Sequence, residues 1–278
     1  MHLDPDAPRT SSRRTVRLSR ILDLLSEGGP ARVTGLAEQL GISQATLRRD
    51  LALLEAQNLL ARTHGGAQPT DFSPELPVHL RELPVRFRDA RHRQAKQRIA
   101  LAAALTIARR PQAIALSGGT TTTEVARYLA DRSELTIITN AINIAMELTM
   151  RPRLRVFVTG GMMRSESYEL VGAWSERFLE SLNIAVAIMG VDGISAQGGL
   201  TTHDVIEART NQRMIERAQR VVVVADSSKL GQVNLAKIAD LRDVQLLITD
   251  SDAPPDQVQA LRAAGLDVQL VQVGGGVR

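Results

Sequence analysis

The strongest constraint on the fold is a series of short apolar runs in the last two thirds of the chain, each followed by glycine or small polar residues. The clearest run is Val221-Val222-Val223-Val224, which offers no polar side chain to water. Such a segment is typical of a strand buried on both faces, as in a mostly parallel sheet. Segments with helical spacing lie between the runs, so the pattern predicts an α/β domain over residues 87–272.

The predicted elements of this domain alternate along the chain. Strands are expected at 113–116, 135–138, 154–158, 184–189 and 221–225, with weaker strands at 245–248 and 267–271. Helices are expected near 89–109, 121–130, 141–149, 173–181 and 203–219. Ligands of open parallel sheets bind outside the carboxyl ends of the strands, so the loops that follow these strands form the candidate site.

The loop after the first strand, residues 117–122, is the strongest element of that candidate site. Its glycines allow close backbone approach, and threonine hydroxyls and the N–H groups of the next helix offer several donors to one anion, which suits a phosphate. Lys229 could add a point charge, and Asp192 could accept hydrogen bonds from sugar hydroxyls. The expected ligand-binding residues are Ser117, Gly118, Gly119, Thr120, Thr121, Thr122, Asn140, Gly160, Gly161, Asp192 and Lys229.

Each of these features also has a plainer structural interpretation. The first loop could be an ordinary strand-to-helix turn with a threonine cap, Lys229 a solvated side chain, and Asp192 part of an Asp-Gly turn. Two aromatic residues of the region, Tyr168 and Trp174, are expected to be packing residues rather than ligand contacts.

Residues 13–68 have the spacing of a small helical module. A stripe at i, i+3, i+4 and i+7 predicts a first helix, with Leu18, Ile21, Leu22 and Leu25 on its buried side. Thr34 is expected to cap a short second helix that ends at Gly41, a residue suited to the left-handed turn, and Ser43 to cap a third helix. Two short helices joined by a glycine-containing turn and braced by another helix predict a helix-turn-helix.

The third helix carries the chemistry of this module. In a helix-turn-helix, the second helix of the motif enters the major groove, where Gln can pair with adenine and Arg with guanine. Residues 59–66 are expected to form a small hairpin, a wing that contacts the DNA backbone or minor groove. The expected DNA-binding residues are Thr34, Ser43, Gln44, Ala45, Thr46, Arg48, Arg49, Arg62 and His64. An amphipathic helix whose arginines are merely solvated would show the same spacing. The spacing by itself therefore does not distinguish a DNA-binding helix from an ordinary surface helix.

Charge and composition narrow the classes of partner. Between Arg9 and Gln68 nine arginines stand against five acidic residues, and an excess of this sign fits contact with a polyanion. Aromatic residues make up only 3% of the chain, which argues against a protein that stacks single-stranded bases. Four prolines in residues 69–86 predict a linker between the two domains.

Several other classes lose their usual support. The chain has no cysteine, its five histidines lack metal-ligand spacing, and it contains no Walker A, G-x-S-x-G or G-x-G-x-x-G motif, so we expect no cofactor and no metal. It has no apolar run of membrane-spanning length and no apolar signal core, so we expect a cytoplasmic protein that does not bind a membrane.

Residues 13–67 resemble the DeoR-type winged helix-turn-helix of bacterial sugar-metabolism repressors. The resemblance is carried by Ile21-Leu22, Leu36-Ala37-Glu38, Leu40-Gly41-Ile42-Ser43, Thr46-Leu47-Arg48-Arg49-Asp50-Leu51, Leu54-Glu55 and Arg62-Thr63-His64-Gly65-Gly66-Ala67. The run Ser-x-x-Thr-x-Arg-Arg-Asp-Leu followed by His-Gly-Gly-Ala is specific at this spacing. The resemblance implies a regulator, most simply a repressor, that reads double-stranded operator DNA as a homo-oligomer, either a dimer or a tetramer.

Residues 85–260 resemble the sensor domain of the same family. The matching stretches are Gly119-Thr120-Thr121-Thr122, Thr139-Asn140, Thr159-Gly160-Gly161, Val191-Asp192-Gly193-Ile194, Gly199-Leu200-Thr201-Thr202, Glu207-Ala208 and Ala225-Asp226-Ser227-Ser228-Lys229. The resemblance implies a fold similar to sugar-phosphate isomerases and a phosphorylated sugar as effector. Two departures bear on the identity of that effector: Ser117-Gly118-Gly119 stands where many members have Asp-Ser-Gly, and Asn211 where many have Lys.

The alternative function is that of a sugar-phosphate isomerase that also carries a DNA-binding module. Asp192, Glu207 and Lys229 could supply acid–base groups beside a phosphate site. Isomerases of the similar fold resemble Asp-Gly-x-Asp at this strand end, whereas here Ser195 occupies the second acidic place and no lysine follows before Ser228. An incomplete acid–base set favours a binding domain over an enzyme.

Overall fold

The computed structural model describes residues 10–56, 59–69, 82, 84–88 and 92–273. The chain divides into two compact units, Met1–Arg91 and His92–Arg278, which are described separately below. The domain limits expected from the sequence remain predictions. In the part of the chain that the structure describes, no helix is long and apolar enough to cross a membrane.

The first unit is a three-helix module with a β-wing. Its elements are α1 (Thr10–Gly28), β1 (Ala31–Arg32), α2 (Val33–Leu40), α3 (Gln44–Ala56), β2 (Leu60–Thr63), β3 (Gly66–Pro69) and α4 (Val85–Arg88). The strands pair antiparallel in the order β1-β3-β2, and β2 and β3 form the predicted hairpin. The four apolar residues of the α1 stripe are buried with Leu36, Leu47, Leu51 and Leu54 in one core, as predicted.

The turn between α2 and α3 has the predicted chemistry at one end and differs at the other. Gly41 ends α2 in the left-handed conformation (φ 63°, ψ 36°), and the Ser43 hydroxyl accepts a hydrogen bond from the Thr46 N–H at 3.2 Å, which caps α3. The predicted cap of α2 is wrong. Arg32 precedes the helix without a side-chain cap bond, and Thr34 lies inside α2 and is exposed.

Both ends of the predicted linker, residues 69–86, include residues of regular elements. Pro69 belongs to β3, and Val85 and Arg86 begin α4, which packs against α1. Val85, which follows Pro84 in the sequence, is buried. Its apolar side chain fixes this short helix to the first unit. The rest of the proline-rich stretch lies outside the described residues, apart from Glu82 and Pro84.

The second unit is built on a parallel sheet of seven strands. In sheet order these are β15 (Val268–Val271), β14 (Leu246–Asp250), β12 (Ala218–Val224), β9 (Ile184–Met189), β4 (Gln112–Leu116), β5 (Leu135–Thr139) and β6 (Arg155–Val158). Every pairing in this sheet is parallel, as the apolar runs predict. The helices are α5 (Arg93–Leu105), α6 (Thr120–Leu129), α7 (Ile142–Leu148), α8 (Ala173–Glu180), α9 (Val205–Glu216) and α10 (Pro255–Ala263).

Helices cover both faces of the sheet and produce two cores. Along β12, Val221 and Val223 pack on the side of α8, α9 and α10, whereas Val222 and Val224 pack on the side of α5, α6 and α7. This alternation explains why the β12 sequence is continuously apolar. It also leaves the strand ends as the places in the sheet where polar side chains can gather.

The strand order reverses between β4 and β9, which places a switch point at the centre of the sheet. Ser117 follows β4 and Gly190 follows β9, so the loops that begin at these residues border the switch point. The fully buried Ser117 hydroxyl accepts a hydrogen bond from the Gly190 N–H at 2.9 Å. This bond joins the loops on the two sides of the crevice.

Elements beyond the predicted alternation complete the unit. The hairpin β7 (Met162–Arg164) and β8 (Glu169–Val171), the strands β10 (Gly193–Ser195), β11 (Gly199–Thr202) and β13 (Ala236–Ala239), and helix α10 are absent from the sequence-based prediction. The strands among these elements are short. Helix α10 begins at Pro255, the second residue of a proline pair that is typical of a loop. The expected packing role of Trp174 is wrong, because its side chain at the start of α8 is 82% exposed in the chain; Tyr168 is half-buried with a positive φ of 60°.

Replacing Ser117 with alanine tests the hydrogen bond at the switch point. The substitution leaves the Gly190 N–H without its acceptor, so we expect the free energy of unfolding to fall by about 1–2 kcal/mol. Urea unfolding followed by circular dichroism measures the change. Ser181→Ala, at an exposed position after α8, is the matched control, and an equal loss in both variants would contradict a special role for Ser117.

Candidate functional site

Helix α3 presents one polar face to solvent and one apolar face to the core. Gln44, Ala45, Arg48 and Arg49 are exposed, whereas Leu47 and its neighbours at helical spacing are buried. The exposed residues lie on the first turns of the second helix of the motif, which is the part that reaches base edges in helix-turn-helix complexes. Thr46 is half-buried, and its hydroxyl forms a 2.9 Å hydrogen bond with that of Ser43.

A buried carboxylate fixes α3 to α1. Asp50 is 2% exposed and accepts hydrogen bonds from Arg17 Nε at 2.6 Å and Arg14 Nε at 3.4 Å. The hydrogen bond to Asp50 raises the pKa of Arg17, so the guanidinium stays charged. Sequence reasoning missed this group, although Asp50 falls on the buried stripe of Leu47, Leu51 and Leu54, and a carboxylate at such a position needs a partner.

The wing carries the two other basic residues expected at the nucleic-acid interface. Arg62 and His64 are both exposed, Arg62 within β2 and His64 in the turn that follows. Glu55 at the end of α3 accepts a hydrogen bond from the Arg62 N–H at 3.2 Å and lies 3.8 Å from its guanidinium. The contact orients the wing relative to α3 and leaves the guanidinium half-exposed for another anion.

In the second unit, the loop after β4 leads directly into α6. Gly119 precedes the helix with a φ of 125°, a conformation that favours glycine, and the N–H groups of the first turn have no partner within the helix. The hydroxyls of Thr122 and Thr123 both donate to the Gly119 carbonyl and so stabilise the turn into the helix. Gly119 and Thr120 are half-buried, whereas Thr121 and Thr122 are buried.

Glu169 lies beneath this loop. It is 3% exposed and accepts hydrogen bonds from Asn140 Nδ2 at 3.0 Å and Asn211 Nδ2 at 3.1 Å. A Cβ atom at Gly118 would lie 2.3 Å from Glu169 Oε1, so the carboxyl group needs glycine there. Burial and the negative charge of Glu207 raise the pKa of Glu169 well above its ordinary value, despite the hydrogen bonds from Asn211, the Gly118 backbone and Asn140.

Two more carboxylates, Asp192 after β9 and Glu207 on α9, belong to the same polar region. The Thr202 hydroxyl lies 3.0 Å from Asp192 Oδ2 and 2.6 Å from Glu207 Oε1. Arg164 donates to Glu207 at 3.0 Å, and Lys229 Nζ lies 3.8 Å from Asp192 Oδ1. Each of these two carboxylates therefore has a cation as well as a hydroxyl beside it.

The loop after β12 adds a second buried acid, Asp226, to the surroundings of Lys229. Burial raises the pKa of Asp226, but the positive charge of Lys96, the Ser228 hydrogen bonds and Lys229 outweigh burial and lower the pKa below its ordinary value. Lys96 is only 4% exposed on α5. Asp226 is therefore a carboxylate at neutral pH.

The loop after β6 lies at the edge of the sheet. Gly160 and Gly161 are exposed, and a Cβ atom at Gly161 would lie 2.6 Å from the Ser175 hydroxyl. The Ser175 hydroxyl donates to the Gly160 carbonyl and lies 3.2 Å from the Thr159 hydroxyl. The absence of a side chain at Gly161 therefore allows α8 to approach the loop. Within the described residues, no hydrogen bond or ion pair joins these glycines to the Glu169 cluster.

The structure thus divides the residues expected at the ligand site. Gly118 and Asn140 bond Glu169, and Asp192 and Lys229 belong to the group around Glu207, whose negative charge acts on Glu169; together they form one polar cluster. Ser117 holds two of its loops together. Sequence reasoning missed Glu169 and Arg164 because β7 and β8 were not predicted. Among the described residues, no group of three or more His, Asp or Glu side chains has the arrangement of a metal site.

Comparison with known proteins identifies the family. Residues 91–251 match the DeoR C terminal sensor domain, and residues 17–71 match the DeoR-like helix-turn-helix domain. A putative aga operon transcriptional repressor of Escherichia coli O157:H7 is 34% identical over 94% of this chain and 94% of its own length. The glycerol-3-phosphate regulon repressor of Escherichia coli K12 is 31% identical over 93% of this chain and 99% of its own. The chain belongs to the DeoR family of transcriptional regulators.

A comparison with solved structures found a sugar-phosphate isomerase among the similar chains. Ribose 5-phosphate isomerase A of Methanocaldococcus jannaschii aligns over 48% of this chain and 52% of its own, with 18% identity and a TM-score of 0.36. The relatives that align over nearly the whole chain are named as repressors, so the assignment is to a regulator and not to an isomerase.

The lowered pKa of Asp226 gives a pH-dependent stability. A carboxyl whose pKa is lower in the folded than in the unfolded state stabilises the fold above its unfolded pKa and loses that contribution as the pH falls through its folded pKa. We expect Asp226→Asn to lower the free energy of unfolding by about 1–3 kcal/mol at pH 7 and by progressively less below pH ~4. Urea titrations from pH 7 to pH 3 measure this, with the exposed Asp267→Asn as control. A difference independent of pH would contradict the assignment.

Proposed function

We propose that this protein is a DNA-binding transcriptional repressor whose affinity for its operator is lowered by a phosphorylated sugar. The observation that carries the DNA-binding half is the exposed row of Gln44, Arg48 and Arg49 on a helix whose opposite side is locked into the core. Gln and Arg are the side chains that pair bidentately with adenine and guanine. The Asp50 ion pair supports this reading, because it fixes the angle of the helix without using the exposed arginines.

The ligand-binding half of the proposal is supported by the α6 loop. Backbone N–H groups without a partner inside the helix and a first turn without acidic residues are suited to a phosphate. Lys229, in the loop after β12 at the same carboxyl edge of the sheet, could add a positive charge. The hydroxyl-bonding groups beside it, Asp192 and Asn140, suit the sugar portion. One relative is named for the glycerol-3-phosphate regulon, which is consistent with a phosphorylated ligand class.

Repression requires that the effector favour a state that fits DNA poorly. A coupling free energy of about 1–3 kcal/mol changes the affinity for DNA roughly 5–150-fold. We further propose that the protein binds as a dimer or tetramer, because helix-turn-helix proteins commonly read two half-sites about 34–36 Å apart.

The proposal is tested by fluorescence anisotropy of the full chain on DNA from its own upstream region. Salt is varied first, since binding that neutralises phosphates weakens steeply with salt. A panel of sugar phosphates is then added, with the unphosphorylated sugars as controls. Release by a phosphosugar alone supports the proposal, whereas equal affinity for random DNA in every condition contradicts it.

Arg48 is expected to read a base. We expect Arg48→Ala to weaken operator binding by about 1–3 kcal/mol and to relax specificity at one base pair. Anisotropy titrations on the operator, on single-base variants and on random DNA measure both effects. Arg153→Ala, an exposed arginine of the second unit, is the control. An equal loss on operator and random DNA would make Arg48 a phosphate contact instead.

Lys229 is expected to contact the effector. We expect Lys229→Ala to abolish release of DNA by the effector while operator affinity without effector stays unchanged, because the lysine belongs to the second unit. The same anisotropy assay measures both quantities, and Lys237→Ala, a lysine paired with Asp240 at an exposed site, is the matched control. An unchanged effector titration in Lys229→Ala would contradict this role.

A further inference from the structure

Glu169 is a buried carboxyl group without a cation. Its hydrogen-bond partners are the amides of Asn140 and Asn211 and the backbone N–H of Gly118. In the described residues, no lysine or arginine forms an ion pair with it, although it is only 3% exposed. A buried carboxylate is normally paired with a cation, since amide donors alone only partly replace its hydration.

A second acceptor in the same cluster also lacks a partner. Asn140 is fully buried, and its Oδ1 atom receives no hydrogen bond within the structure. The Nδ2 atom of the same amide contacts both Glu169 and Asn211 Oδ1, so the amide group faces the cluster, and turning it over would bring its oxygen against two other acceptors. An unpaired buried acceptor costs about 1–3 kcal/mol, which a donor on a ligand would recover.

The remaining acids of the cluster do not share this need. Asp192 has Lys229 within 3.8 Å, and Glu207 has Arg164 within 3.0 Å. Of these three acids, Glu169 is the one without a lysine or arginine at ion-pair distance in the described residues, and this is a local shortage of positive charge. The raised pKa of Glu169, caused by burial and by Glu207, is what such a shortage produces while no cation is near.

We propose that the effector carries an amino group as well as a phosphate, and that its ammonium group binds Glu169 and Asn140 Oδ1. The inference rests on the proposed function and narrows its ligand to phosphorylated amino sugars. Gly118 connects the two ends of such a ligand, because its backbone contacts Glu169 and the next residue, Gly119, begins the turn into α6. The Glu169 carboxyl group and the start of the turn into α6 therefore adjoin the same loop, residues 117–119.

The first test compares matched ligands on the unaltered full chain by isothermal titration calorimetry. Glucosamine 6-phosphate is paired with glucose 6-phosphate, and galactosamine 6-phosphate with galactose 6-phosphate. We expect the amino member of at least one pair to bind tenfold or more tightly. The N-acetylated form of that sugar, which keeps an N–H but has no charge, is expected to lose most of this advantage. No variant is required, so a folding defect does not affect the result.

The second test removes the charge of the carboxyl group. Glu169→Gln keeps the size and one oxygen acceptor, and we expect it to bind the amino and hydroxyl members of the pair within about threefold of each other. Glu176→Gln is the matched control, because Glu176 is also buried but pairs with Arg209 at 2.9 Å on the outside of α8 and α9. The control is expected to keep the full preference for the amine.

The possible outcomes distinguish a failure of this inference from a failure of the proposed function. If neutral phosphosugars bind as tightly as amino phosphosugars, or if Glu169→Gln keeps the preference for the amine, the inference is overturned and the proposed sugar-phosphate sensor stands. If no phosphosugar of either kind binds or releases DNA, both are overturned. A tenfold preference that disappears in Glu169→Gln and persists in Glu176→Gln supports the inference.

Discussion

Burial of the parallel sheet on both faces is the constraint on which the second unit depends. With α5, α6 and α7 on one side and α8, α9 and α10 on the other, the apolar side chains of the central strands are buried in two hydrophobic cores. Polar side chains therefore gather in the loops at the carboxyl ends of the strands. The reversal of strand order between β4 and β9 opens a crevice at those ends. The Ser117–Gly190 hydrogen bond sets the separation of the two loops that border this crevice.

The sequence was sufficient for every element with a strong periodic signal. The seven strands of the main sheet and the helices α5 to α9 follow from apolar runs and helical spacing, and the turn at Gly41 and Ser43 follows from the chemistry of those two residues. The β7–β8 hairpin has three-residue strands and a positive φ at Tyr168, so no periodicity marks it. Because that hairpin carries Arg164 and Glu169, sequence reasoning missed these two charged members of the polar cluster.

The same contrast holds in the first unit. Local sequence patterns predicted α3 and its exposed arginines. They did not predict the ion pairs of Asp50, because Arg14 and Arg17 lie more than thirty residues away on α1. Long-range ion pairs leave no local signature except a charged residue on an otherwise buried stripe. The misplaced cap at Thr34 has a similar origin, since the short strand Ala31–Arg32 pairs with the wing and so determines where α2 begins.

The contact between Gly118 and Glu169 also restricts how the sequence can change over time. A side chain at position 118 would collide with the Glu169 carboxyl group, whose Oε1, Cγ and Cδ atoms lie 2.3, 2.5 and 2.8 Å from the place of its first carbon. Position 169 must therefore shorten before position 118 can lengthen. The two sites, about fifty residues apart in the chain, are therefore coupled, because the space available at position 118 depends on the length of the side chain at position 169.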